Sequence, residues 1–201
     1  MKHTLLNILR NVKTEKIKFS NNDIIIEPYQ NKNSLYYIIE GKAKIYEEHE
    51  NGNISLIQYL CAGDFIGELY LLGIEEESKL IKSHGDSVLY QIKGNEFYDK
   101  LYNDIYFMQL LSQFLGRKLL HRTHHYTEIQ QYHFTHCFVR YIQDMNVEGY
   151  ILKGFVQLSQ YLDVSYRHLM HVLNELKRNG ALEKVNGNYC IKDKEKLKYF
   201  L

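Results

Sequence analysis

Ser165-Tyr166-Arg167-His168 and, less than one turn further on, His171 gather a hydroxyl, a phenol, a guanidinium and two imidazoles in one short stretch. On the outer face of a helix such side chains can read base edges in a major groove. Arg167 can bond bidentately to guanine, worth about 1–3 kcal/mol of discrimination, with Tyr166 and His171 on base edges or phosphates and His168 beside them. Lys177, Arg178 and Lys184 follow as charges suited to the phosphate backbone, whose contacts fix position and carry no sequence information.

A second set lies in GDFIGELYLLGIEEESKL, residues 63–80, where Gly67-Glu68-Leu69 closes a short apolar strand like the rim of a nucleotide pocket. An anionic ligand there would want an arginine. The chain offers Ser78 and Lys79 behind Glu75, Glu76 and Glu77, and a flexible lysine replaces a guanidinium fork poorly. Two histidine pairs, His121/His125 and His133/His136, have helical spacing that can present both imidazoles on one face. Solvent-facing and seam histidines are the simpler reading, with Glu128 the one carboxylate nearby, and no metal is assigned. Cys61, Cys137 and Cys190 show no CxxC spacing and read as small buried hydrophobes, without disulfide or iron-sulfur cluster.

The elements that hold these groups are legible from periodicity. From Ile17 to about Ile92, short β-rich runs (IKF, DIIIE, SLYYIIE, KAKIYEE, ISLIQYL, DFIGEL, SVLYQI) alternate with turn residues, as in a sandwich, barrel or jelly roll. Ser20-Asn21-Asn22-Asp23, Glu40-Gly41 and Asn51-Gly52-Asn53 supply residues that tolerate positive φ. Near Asn95 the period becomes helical and stays so to about Met145, with a break near Asn103-Asp104. Met108, Ser112, Leu115, Leu119, Arg122, Tyr126, Ile129 and His133 step by fours and threes, a heptad seam for a parallel homodimer. Beside it Phe107, Leu110, Leu111 and Phe114 form a stripe that can pack on the β domain.

After Gly149 comes a helix-turn-helix. Ser159 is the small residue where two helices cross, Asp163 takes the left-handed turn position, Val164 plugs the angle and Ser165 caps the second helix. Leu169, Val172 and Leu173 face the core, leaving Tyr166, Arg167, His168, Met170, His171 and Asn174 outside. ALEKV, Asn186-Gly187-Asn188 and YCI then read as the hairpin wing of a winged helix. The chain is therefore predicted to be α+β: a β-roll over residues 1–102, a long dimerisation helix over 103–136 and a winged helix-turn-helix over 137–201.

Charge agrees with this division. Residues 1–136 carry 15 Lys/Arg against 17 Asp/Glu, and residues 137–201 carry 10 against 7, so the surplus of cations lies where a polyanion is expected. No apolar run is long enough for a bilayer and the first residues lack a secretory pattern, so a cytoplasmic address and no membrane partner are expected. Neither a paired nucleophile and base nor a phosphate loop appears, which argues against an enzyme. The rival class is a small-molecule-binding β-roll whose helical C-terminal domain is a protein-interaction module.

The order of β-roll, long helix and winged helix-turn-helix, with the phrases GDFIGELYLLGIEEESK, HRTHHY and YLDVSYRHLMHVL, resembles the Crp/Fnr family of transcription regulators and within it the YeiL-like subgroup. The resemblance implies a homodimer that binds a two-fold symmetric double-stranded DNA site and acts through its placement relative to RNA polymerase. It also implies an effector pocket. In cyclic-AMP-binding members Gly-Glu-Leu sets the glutamate on the ribose hydroxyl and an Arg-Ser pair about ten residues later holds the phosphate. Gly67, Glu68 and Leu69 match the first part, Ser78 and Lys79 stand where Arg-Ser would be, and Arg122 and Thr123 are the helix residues that would reach the base. The effector is thus unknown, and the residues argue against cyclic AMP. Oxygen-sensing members hold an iron-sulfur cluster on cysteines mostly near the N-terminus, and here no cysteine precedes Cys61.

Overall fold

The computed structural model of the 201-residue chain describes residues 5, 7–29, 33–48, 54–144, 151, 152, 154–186 and 188–201; within these, nothing is said of the side chains of 125, 128, 129, 144, 151, 152 and 188. By internal contact it divides into two units, Met1–Leu120 and His121–Leu201.

Eight strands build the first unit: β1 (Thr14–Phe19), β2 (Ile24–Ile26), β3 (Ser34–Glu40), β4 (Lys42–Glu48), β5 (Ile54–Cys61), β6 (Phe65–Ile66), β7 (Leu80–Ser83) and β8 (Ser87–Lys93). They form two four-stranded antiparallel sheets, ordered β1-β8-β3-β6 and β2-β7-β4-β5. The period-two pattern of β3 shows why both of its faces are buried. Tyr36 and Ile38 join Ile25, Ala43, Ile45, Leu60, Ile81 and Leu89 in one core, while Leu35 and Tyr37 join Phe65, Ile92 and Phe97 in a second. Left-handed Asn22 (φ 69°) and Gly41 (φ 86°) make two of the expected turns. The expected Asn51-Gly52 turn lies outside the described residues, although β4 and β5 pair as a hairpin requires. Sequence periodicity overlooks β7, whose run LIKS has only two apolar residues and follows three glutamates.

Helical turns at Gly94–Glu96 and Phe97–Leu101 lead to a break before the long helix, here Ile105–Gln131. Asp104 explains the break: its Oδ1 accepts the free amide of Phe107 at 2.8 Å, capping the new helix. The stripe of Phe107, Leu110, Leu111 and Phe114 is buried in the second core, as its spacing predicts. Phe65 meets Phe107 and Phe114 edge-on at 6.0 and 5.3 Å between ring centroids, a favoured aromatic geometry. Leu5, Leu9 and Val12 from the start of the chain fill the same core.

The long helix ends earlier than predicted. Tyr132 and His133 form a break, and a separate helix runs over Phe134–Asp144. His133 is consequently neither on the heptad stripe nor paired with His136 on one helix face. The second unit continues with β9 (Ile151–Leu152), helices Phe155–Tyr161 and Tyr166–Arg178, β10 (Leu182–Val185), β11 (Asn188–Ile191) and a short helix Lys194–Lys198. Its buried residues include Phe138, Val139, Ile142, Leu158, Leu162, Leu169, Val172, Leu173, Leu176, Leu182 and Leu197.

Candidate nucleic-acid interface and roll pocket

The turn between Phe155–Tyr161 and Tyr166–Arg178 is built as its residue types predict. Ser159 is 4% exposed where its helix needs a small side chain, and its Oγ donates to the Val156 carbonyl at 2.8 Å. Asp163 adopts φ 52°, a left-handed conformation that Asp tolerates better than most residues. The amide of Val164 then donates to the Ser159 carbonyl at 2.9 Å. Ser165 is extended and its Oγ accepts the His168 amide at 3.2 Å, so the N-cap is made by the expected residue.

This cap starts a 13-residue amphipathic helix. Leu169, Val172, Leu173 and Leu176 are buried, while Tyr166, Arg167, His168, His171, Lys177 and Arg178 are all exposed. One outer-face expectation is corrected: Met170 is half-buried. Asn174 is exposed as expected, and its Oδ1 accepts the Tyr189 hydroxyl at 3.1 Å. His168 also lies 4.9 Å from the Phe134 ring, which restrains its imidazole on one side.

The wing is an antiparallel pair with Leu182 opposite Ile191 and Lys184 opposite Tyr189. Asn186 turns with φ 50°, and Gly187 lies outside the described residues. Lys184 is exposed, its Nζ 5.7 Å from the Tyr189 ring centroid. The pairing of β9 with β11 makes a third strand that sequence reasoning missed; a two-residue strand is too short for a period-two signal.

In the first unit, Gly67 has φ 85°, and an added Cβ would lie 2.6 Å from the Ser34 carbonyl oxygen. Only glycine lets the chain turn here against β3. The turn delivers Glu68 inward, 2% exposed, where its Oε1 is 2.6 Å from Lys118 Nζ on the long helix. Leu69 is half-buried and its carbonyl accepts the amides of Ile74 and Glu75 at 2.8 and 3.2 Å, folding the acidic loop back. Burial pushes the Glu75 carboxyl up, opposed by Lys79 and Lys118 and reinforced by Glu68 and Glu47.

The two clamp positions are committed elsewhere. Ser78 Oγ donates to the Glu27 carbonyl at 3.0 Å, and Lys79 Nζ pairs with Glu47 at 2.6 Å. A phosphate would find the serine donor used and the ammonium already neutralised.

Arg122 and Thr123 are exposed on the part of the long helix that belongs to the second unit. Of the residues expected to form a seam, Met108 and Leu115 are half-buried against the roll core. Leu119 and Tyr126 stand 67% and 65% exposed, and the Ile129 side chain lies outside the described residues. His121 and His124 are exposed, and the His125 side chain lies outside the described residues. His136 Nδ1 meets the Leu201 carbonyl at 2.9 Å and its ring stacks on Tyr132. Among the described residues no group of three or more His, Cys, Asp or Glu is placed to hold a metal. Of the cysteines, Cys137 is buried and Cys190 half-buried, whereas Cys61, expected inside, is exposed at the end of β5. No helix among the described residues is long and apolar enough to cross a membrane.

Residues 16–104 match the cyclic nucleotide-binding domain family. The chain is 28% identical over 185 residues to the regulatory protein YeiL of Escherichia coli O157:H7, covering 92% of this chain and 84% of that one. Its fold is similar to a CRP/FNR-family transcriptional regulator of Thermus thermophilus, with TM-score 0.76 and 19% identity over 92% of this chain and 97% of that one. It is similar as well to the c-di-GMP-responsive global regulator CLP of Xanthomonas campestris, with TM-score 0.74 and 17% identity over 96% and 100% of the two chains.

Proposed function

From a chain whose residues 16–104 match the cyclic nucleotide-binding domain family and whose fold is similar over 92% of its length to a CRP/FNR-family transcriptional regulator, we propose a homodimeric, sequence-specific DNA-binding regulator that works without cyclic AMP. The observation that carries this reading is the Tyr166–Arg178 helix. It is capped by Ser165, anchored by four buried residues, and turns Tyr166, Arg167, His168 and His171 outward with Lys177 and Arg178 at its end. That is the arrangement a recognition helix needs: base readers near the N-terminus and cations for the backbone. Lys184 on the wing adds a phosphate contact.

The homodimer is supported by Leu119 and Tyr126, two large side chains on the heptad stripe that a single chain leaves mostly exposed. A second helix laid along Met108, Leu115, Leu119, Arg122, Tyr126 and Ile129 would cover them. Independence from cyclic AMP is supported by the pocket, where Glu68 already has Lys118 and Lys79 already has Glu47. Placement of the dimer beside RNA polymerase in the cytoplasm would then set activation or repression, and no step of this function requires catalysis.

Gel shift of genomic fragments with wild type and Arg167→Ala tests the reading. Wild type should select a fragment in a salt-sensitive manner, and Arg167→Ala should lose selectivity while keeping nonspecific affinity. Wild-type binding without sequence preference would refute it.

A further inference from the structure

Tyr189 stands in the wing, one pair from its turn, 2% exposed, and touches three elements of its unit. Its hydroxyl donates to Asn174 Oδ1 at 3.1 Å, on the exposed side of the Tyr166–Arg178 helix. Its ring meets Phe155, the first residue of the preceding helix, at 5.7 Å and 85°. On the strand opposite, Lys184 holds its ammonium 5.7 Å from the ring centroid. Burial raises the Tyr189 pKa.

Packing alone would be met by phenylalanine, which leaves no hydroxyl to satisfy in the interior. The hydroxyl instead bridges two elements that a DNA complex uses separately. The helix enters a groove while the wing lysine meets a phosphate, so both can engage only if their separation is fixed. A phenol whose ring faces the lysine and whose oxygen holds the helix sets that separation through one rigid side chain.

We propose that Tyr189 is a positioning residue for DNA reading, locking the wing cation Lys184 to the recognition helix through Asn174. The inference rests on the DNA-binding reading above, and it names a buried tyrosine and a helix asparagine as specificity determinants that need not touch DNA.

The full-length protein, carrying Tyr189→Phe, Asn174→Ala, both, or Tyr189→Leu, is titrated with a duplex selected by wild type and with a scrambled duplex over a salt series. Thermal midpoints are measured in parallel. Tyr189→Phe should lose about fivefold to tenfold in affinity for the selected duplex, the worth of one hydrogen bond, with scrambled-duplex affinity and salt slope unchanged. Asn174→Ala should reproduce that loss, and the double variant should be no worse than either single one, because both remove the same bond. Tyr189→Leu removes the platform under Lys184 and should also lower the salt slope by about one. If Tyr189→Leu does not fold, the phenylalanine variant still decides. Tyr189→Phe and Asn174→Ala variants that melt lower yet keep the wild-type ratio of selected to scrambled affinity would reduce the bond to a structural one and overturn the proposal. Wild type binding both duplexes equally would overturn the DNA-binding reading itself and the role of the pair with it.

Discussion

Lys118 Nζ lies 2.6 Å from Glu68 Oε1, and the two side chains are 11% and 2% exposed. The bond crosses 50 positions of sequence to tie the Gly67 turn to the long helix. A carboxylate this deep needs a counterion, because desolvation of a lone charge costs several kcal/mol. Lys118 supplies it from within the chain, so a ligand hydroxyl seeking Glu68 would have to displace or share an existing partner.

Replacing one member should therefore be costly and replacing both should not. Lys118→Met leaves Glu68 buried without its cation and should lower unfolding free energy by about 3–5 kcal/mol. Glu68→Leu combined with Lys118→Met should recover most of that loss. Urea unfolding of the singles and the double, treated as a cycle, measures the coupling. Additive single effects would show that the two groups are not an energetic pair.

His84 gives stability a pH dependence. Burial first, then Lys44 and Lys42, lower its pKa from 6.5 to about 4. The folded protein thus binds the proton less readily than the unfolded chain. Stability is complete above about pH 6.5 and is lost as pH falls toward 4. Discounted for the ring's partial exposure, the loss from this residue is about 2 kcal/mol. His84→Gln should flatten the melting temperature between pH 6.5 and 4 relative to wild type; an unchanged slope would mean that His84 does not carry it.

At Gly67, substitution meets both a left-handed backbone and the Ser34 carbonyl. Gly67→Ala should destabilise the roll by about 1–3 kcal/mol, and it should shift amide resonances of β3 and of Glu68 before those of the second unit. Wild-type stability would show that the turn relaxes freely.

The helix-turn-helix offers two substitutions of opposite sign. Ser165→Ala removes the acceptor for the His168 amide and should cost about 1 kcal/mol. Asp163→Gly suits φ 52° and should be neutral or slightly stabilising. Thermal melting of both variants checks the pair, and a destabilising Asp163→Gly would point to a role for the Asp163 side chain beyond backbone conformation.

What can be read in advance depends on how local the cause is. Ser165, Asp163 and the Phe107–Phe114 stripe act through neighbouring backbone or one helix face, and residue type and spacing suffice for each. The Glu68–Lys118 pair joins positions 50 apart; nothing in GELYLL or GRKLL announces the partner. Lys79 is legible as a poor phosphate clamp, but its capture by Glu47 needs the sheet that brings β4 beside β7. The end of the long helix at Gln131 is not legible, because YTEIQQYHFTH contains neither glycine nor proline to mark it. Helical spacing places Asn174 on the outer face but cannot see the Tyr189 hydroxyl that reaches it from the wing.

Selective DNA binding by a dimer that needs no cyclic nucleotide is the behaviour proposed for this protein. Its most direct test is fluorescence anisotropy of purified protein on a duplex selected from genomic fragments, with scrambled duplex as control, over a salt series with and without cyclic AMP. The prediction is selective, salt-sensitive binding with the same midpoint in both arms. Selective binding that appears only when cyclic AMP is added, or equal affinity for the two duplexes, would contradict it.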